Sequence, residues 1–147
     1  MKRTDTKSHC PVNFTLELIG DPWSLLVLRD IVFFGKQTFK EFLDSSERIT
    51  TSVLTSRLSN LEKHGILTKQ PHATDLRSSL YRLTEKGLGL VPMLLAMMEW
   101  GTTYDAKSAG RRKKDFVERI KAEQSALSFE VQNIVRAGGS VFGEPRQ

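Results

Sequence analysis

Cysteine is nearly missing from this 147-residue chain: Cys10 stands alone. One thiol excludes a disulfide within the chain, and with only three scattered histidines it argues against a structural zinc site, which needs four ligands at short spacings. No apolar run approaches the ~18 residues of a membrane span, and Met1 to His9 is polar and basic, unlike a signal peptide. Acid is the scarcer charge, 17 Asp plus Glu against 22 Lys plus Arg, which leaves a formal net charge of +5. No resolving cysteine and no acid–base constellation accompany Cys10, so catalysis has no visible centre. These shortages predict a cytoplasmic protein of one domain with an appendage. They also predict no membrane association, no metal, no cofactor and no enzymatic activity, and the charge favours an anionic partner.

What the chain does carry is concentrated between Ile49 and Gly65. On a helix, Leu54, Leu58 and Leu61 form an apolar stripe. Ser52, Ser56, Ser59 and Lys63 repeat the same spacing on the other side, beside Thr55 and Asn60. A merely solvated helix face more often mixes Glu with Lys, which keeps helix propensity. A face of short hydroxyls gives up some propensity and lets a helix approach nucleic acid closely, bonding phosphates and base edges alike. The plain alternative is that serine and threonine tolerate solvent, and the neighbouring segments weigh against it.

Upstream, Thr38 to Ser46 has Phe39, Phe42 and Leu43 on one side and Thr38 as an N-cap, so that a turn joins two helices. Downstream, Gly65 ends the long helix, and ILTKQPHA and SSLYRLT read as two short strands around a polar tip at Thr74, Asp75, Leu76 and Arg77. The fold class is therefore mainly α with a small β-hairpin, a winged helix-turn-helix whose second helix enters the major groove and whose hairpin reaches backbone or minor groove.

These residues, taken in order, carry a resemblance. CPV at Cys10 to Val12, IG-x-x-W at Ile19 to Trp23, LLVLRDI at Leu25 to Ile31 and TFKEF at Thr38 to Phe42 are followed by the whole stretch Ile49 to Leu67. YRLTEKG at Tyr81 to Gly87 and VPMLLAMMEWG at Val91 to Gly101 complete the set. Over about residues 10 to 101 the chain resembles the HxlR family of bacterial winged-helix transcription regulators, relatives of the MarR-like group. The resemblance implies a homodimer on double-stranded DNA with a pseudo-palindromic operator, and N- and C-terminal dimerisation helices. It places Lys36, Thr38 and Lys40 near the DNA backbone. In the reading helix Thr50 is the N-cap, and Thr51, Ser52, Thr55, Ser56 and Ser59 are the groove candidates. Arg57, beside the leucine stripe, is open to a DNA contact or a salt bridge. Arg77 is the wing residue suited to the minor groove, although it lies four residues before Tyr81 where family members have three, and the prolines of their wing are missing. Asp21-Pro22 replaces a pair that is usually Gly-Lys, a change of cap and not of core. The rival from another class is a winged-helix protein-interaction module that binds no DNA.

Cys10-Pro11 reads as a helix start, which sets the thiol at the positive end of a helix dipole with Lys7 and His9 close in sequence. The resemblance adds that some members sense oxidants or electrophiles with a cysteine in this position; an inert surface thiol is the alternative. Asp21 and Pro22 open a second helix, apolar nearly all round to Phe34, with Arg29 and Asp30 as structural ion partners. After the cap Thr84, Leu88 to Trp100 is a long apolar pattern that Pro92 kinks or breaks, with surplus surface suited to a partner. The division expected is a lead-in over 1–9, a winged-helix and dimerisation domain over 10–101, and a basic linker with a helical extension over 102–147. That extension has a narrow seam of Val117, Ile120, Gln124, Leu127, Val131 and Ile134 ending at Gly138-Gly139, expected to dock on the domain or on a dimer mate.

Overall fold

The computed structural model describes residues 7–108 and 111–143; most of the lead-in, the side chains of Arg111 and Arg112 in the basic run, and the last four residues lie outside them. In order, the elements are α1 (Pro11–Ile19), α2 (Pro22–Phe34), α3 (Phe39–Leu43), α4 (Thr51–Lys63), β1 (Leu67–Pro71), β2 (Ser79–Leu83), α5 (Glu85–Leu88), α6 (Val91–Tyr104) and α7 (Arg111–Arg136). The strands pair antiparallel, Leu67 opposite Leu83 and Pro71 opposite Ser79. Helix pair and hairpin together form a winged helix-turn-helix.

Helix starts fall where short polar residues and proline place them. The side chains of Asp21, Thr38, Thr50 and Thr84 accept backbone N–H bonds from Ser24, Glu41, Val53 and Gly87. Each such cap contributes about 1 kcal/mol. Ile49, buried just before the Thr50 cap, and Leu54 occupy the positions of a hydrophobic staple that sets the entry angle of α4. Pro92 breaks the apolar pattern: α5 ends at Leu88, the chain turns through Gly89 and Leu90, and α6 begins with the proline in its first turn, where no N–H is needed.

α2 is the scaffold, with Val27, Leu28, Ile31, Val32 and Phe33 buried. Against it sit the leucines of α4, which are at most 2% exposed, and Phe42, whose ring meets the edge of Tyr81 at 6.1 Å between centroids. The wing is fixed at its root. Tyr81 N–H donates to the Gln37 carbonyl at 2.8 Å, and Thr84 N–H to that of Ile66 at 3.1 Å. Gly87 permits this closeness, since a Cβ there would run into the Ile66 carbonyl oxygen.

The C-terminal segment docks on this same core. Val117, Ile120, Leu127, Val131 and Val135 of α7 are buried with the residues of α2 and α6. Two members of the expected seam differ. Non-helical backbone at Glu123 (φ −152°, ψ 55°) breaks the phase of the helix, so Gln124 is exposed and reaches the Pro92 carbonyl through its amide, and Val135 is buried in place of the half-buried Ile134. Past Gly138 the chain doubles back, and Val141 and Phe142 donate their N–H groups to Val32 and Phe33 at 3.1 and 2.7 Å. These are last-turn carbonyls of α2, which have no partner within their own helix.

Candidate nucleic-acid interface

α4 divides its surface as its sequence period requires. Leu54, Leu58 and Leu61 are buried, while Thr51, Ser52, Thr55, Ser56, Ser59 and Lys63 are exposed. Thr55 donates its hydroxyl to the Thr51 carbonyl at 2.8 Å, which leaves the oxygen lone pairs outward as acceptors. A groove of about 770 Å³ runs between this side of the helix and the hairpin. Thr55, Ser59 and Lys63 line it from the helix, Lys69 and Tyr81 from the strands, and Glu62 is its one acid. Lys63, already on the polar face by its spacing, and Lys69 thus join the groove-contact candidates. Lys63 continues the hydroxyl row by one helical step, whereas Lys69 follows only from the strand register that sets it opposite Tyr81.

The other basic candidates divide. Lys40 and Arg77 are exposed. Lys36 is half-buried, with its ammonium 3.5 Å from Asp30 Oδ2 and 3.3 Å from Ser45 Oγ. Thr38 spends its hydroxyl on α3, accepting from Glu41 N–H and donating to Glu41 Oε1 at 2.9 Å. Arg57 turns back to the start of α2: its Nε donates to Asp21 Oδ1 at 2.8 Å, and its Nη1 lies 3.3 Å from Ser56 Oγ. The same Asp21 carboxylate accepts from Ser24 N–H at 2.9 Å and Ser24 Oγ at 2.6 Å. Its pKa falls below the usual carboxylate range: burial opposes the drop, and the Ser24 and Arg57 bonds outweigh it.

Between α3 and α4 the turn passes through Arg48 at φ 61°, the one non-glycine residue with positive φ among the described residues. Such turns often hold glycine. An exposed arginine held in the left-handed region, two residues before the Thr50 cap of the reading helix, is a backbone-contact candidate that residue spacing does not reveal. The turn is braced by Arg29, whose guanidinium joins Asp30 on its own helix to Glu47.

Cys10 occupies the N-cap position of α1, exposed, without capping the helix through its side chain. Backbone N–H groups of Asn13 and Val12 draw its thiol pKa below the ordinary value. Away from the groove, α1 and α6 leave apolar side chains uncovered. Val12 and Leu16 share one face of α1, and Met97, Trp100 and Tyr104 fall at i, i+3 and i+7 on α6, the two rings 5.1 Å apart. No helix among the described residues is long and apolar enough to cross a membrane.

Known proteins with this pattern agree with the geometry. The family model described as HxlR-like helix-turn-helix matches residues 18–109. YdeP of Bacillus subtilis, an uncharacterized HTH-type transcriptional regulator, is 32% identical over 123 residues, which are 84% of this chain and 88% of that one. The redox regulator HypR in its oxidized form superposes with a TM-score of 0.56 at 34% identity, covering 64% of this chain and 96% of its own. HypR in its reduced form superposes equally well, at 33% identity.

Proposed function

The chain belongs to the HxlR-like helix-turn-helix family of transcription regulators, and on that premise we propose that it binds a specific operator in double-stranded DNA as a homodimer. The observation that carries this reading is the pairing on α4 of a buried leucine row with an exposed hydroxyl row that opens on a groove shared with a lysine-bearing wing. Thr51, Ser52, Thr55, Ser56 and Ser59 face base edges and phosphates of the major groove. Lys40, Lys63 and Lys69 neutralise phosphates, and Arg77 enters the minor groove. Lys36 and Thr38 act through the fold instead, by holding the turn and capping α3.

The dimer forms through the uncovered apolar faces of α1 and α6. A twofold pair of winged helices reads a pseudo-palindrome with half-sites about one helical turn apart, ~34 Å, or somewhat more. Redox control acts through Cys10. HypR, a relative in fold and sequence, is named a redox regulator, and the Cys10 thiol sits where backbone amides favour its thiolate. Oxidation or alkylation there alters α1 and with it the spacing of the two reading heads.

The test is binding of the purified protein to DNA from its own upstream region across a salt series, before and after a thiol oxidant. Specific binding with a steep salt slope supports the regulator. Loss of binding on oxidation, reversed by reductant and absent in Cys10→Ser, supports sensing. Binding that ignores oxidant removes the sensor and keeps the regulator.

A further inference from the structure

Among the described residues, the large apolar side chain most open to solvent is Leu76, 92% exposed. The other exposed apolar side chains, such as Trp100 and Tyr104, lie on helices, whereas Leu76 stands at the tip of the hairpin between Pro71 and Ser79. Glycine, asparagine, aspartate and proline serve the backbone of a turn, and the uncovered leucine makes no bond in this one.

The tip around it is built. His72 Nδ1 accepts the N–H groups of Thr74 and Asp75 at 3.2 and 3.1 Å. Asp75 Oδ1 accepts the N–H of Arg77 at 3.0 Å, its carbonyl accepts from Ser78 at 3.1 Å, and His72 N–H closes the loop on the Ser78 carbonyl at 3.2 Å. None of these bonds uses the side chain of Leu76 or the guanidinium of Arg77. The frame exists before any partner arrives, and it offers one apolar and one cationic side chain next to each other.

We propose that Leu76 is a wedge that enters the minor groove beside Arg77 and opens a base step, so that this protein bends the DNA it binds. The inference rests on the DNA-binding reading above. Leucine is among the side chains that proteins insert between base steps, unstacking them and kinking the duplex. Arg77 supplies the complement, because guanidinium is drawn to the concentrated negative potential of a narrow minor groove. Pyrimidine–purine steps open most easily, so the wedge confers a preference for such a step at the edge of each half-site. The hydroxyl row of α4 reads base edges, and Leu76 reads deformability.

The experiment uses the full chain and a duplex selected by binding from its own upstream region or from a random library, with donor and acceptor dyes at its ends. Wild-type protein brings the ends closer. Leu76→Ala, a change at a solvent-exposed position, binds about tenfold more weakly, leaves the duplex straighter and keeps the salt slope. Leu76→Met restores the bend, and Arg77→Ala lowers the salt slope by about one while still bending. A fluorescent purine at the wedged step brightens with wild type and Leu76→Met but not with Leu76→Ala. Equal bend and affinity for wild type and Leu76→Ala overturns the wedge and leaves DNA binding intact. A wild-type protein that binds no duplex in either pool overturns both.

Discussion

Replacing Asp30 by alanine removes an acceptor that three segments share. The residue is 2% exposed on α2. Its Oδ1 accepts from Arg29 Nε at 3.0 Å and Nη2 at 2.8 Å, and its Oδ2 takes the Ser45 hydroxyl and lies 3.5 Å from Lys36 Nζ. Lys36 precedes α3 and Ser45 follows it, so this one carboxylate ties both ends of the first reading-head helix to the scaffold. Removing one partner of a buried ion pair costs about 3–5 kcal/mol. Here Arg29 keeps Glu47, Ser45 keeps the Phe42 carbonyl, and the side chains of Arg29 and Lys36 retain 26% and 21% of their exposure. The expected loss is therefore about 2–4 kcal/mol. For a domain of this size that lowers the melting temperature by roughly 5–15 °C. Urea and thermal unfolding followed by circular dichroism measure it, and Asp30→Asn, which keeps an acceptor oxygen without the charge, should fall between alanine and wild type. A loss under about 1 kcal/mol for Asp30→Ala would refute the claim that this carboxylate holds the helix-turn-helix together.

Four further outcomes follow from named contacts. The Arg29 guanidinium draws the Glu47 carboxyl down to about 2, so its stabilisation is complete above the ordinary carboxylate range and is lost as pH falls through that range towards the lowered value. At 36% side-chain exposure, screening leaves this at about 1 kcal/mol, and Glu47→Gln should flatten that part of the acid-stability curve. Asp21→Asn keeps a good N-cap and removes the charge facing Arg57, so a double-mutant cycle with Arg57→Gln should show coupling of about 1 kcal/mol; additive losses would deny the bridge. Arg48→Gly relieves the left-handed backbone and should raise stability by up to about 1 kcal/mol, while weakening DNA binding with a shallower salt slope. Trp100→Ala combined with Tyr104→Ala should shift the sedimentation profile from dimer to monomer while the far-ultraviolet spectrum of each chain is unchanged.

How far the fold can be read in residues depends on how local its causes are. Asp21-Pro22, Thr38, Thr50 and Thr84 mark helix starts because a cap is a bond between a side chain and an amide a few residues on, and the spacing of Leu54, Leu58 and Leu61 states which side of α4 is buried. The return of Val141 and Phe142 onto the last carbonyls of α2 has no such signal. Two residues have no period, and their partners lie more than a hundred positions earlier in the chain. The kink at Glu123 is equally silent, because no glycine or proline marks it in the sequence, and it changed the seam at Gln124 and Val135.

The site divides along the same line. Which hydroxyls share a face of α4 is a matter of period, and the structure places Ser52, Ser56 and Ser59 together on the exposed side. Where a long charged side chain goes is a matter of what stands within reach after folding. Lys36 and Arg57 resemble Lys40 and Arg77 in sequence, yet the first two find Asp30 and Asp21. Asp21 is the more telling case. In sequence, as a departure from the usual Gly-Lys pair, it reads as a change of cap alone. In three dimensions its carboxylate serves the cap with one set of bonds and holds Arg57 of the reading helix with another. It follows Gly20, the end of α1, whose other end is Cys10. Between the end of α1 and Arg57 there stands one residue, whose Oδ1 alone accepts from the Arg57 guanidinium. A glycine in that place would have no side chain to make either contact, and α4 would lose this side-chain tie to the start of α2 while keeping its leucines, the Thr50 cap and the Ile49 staple.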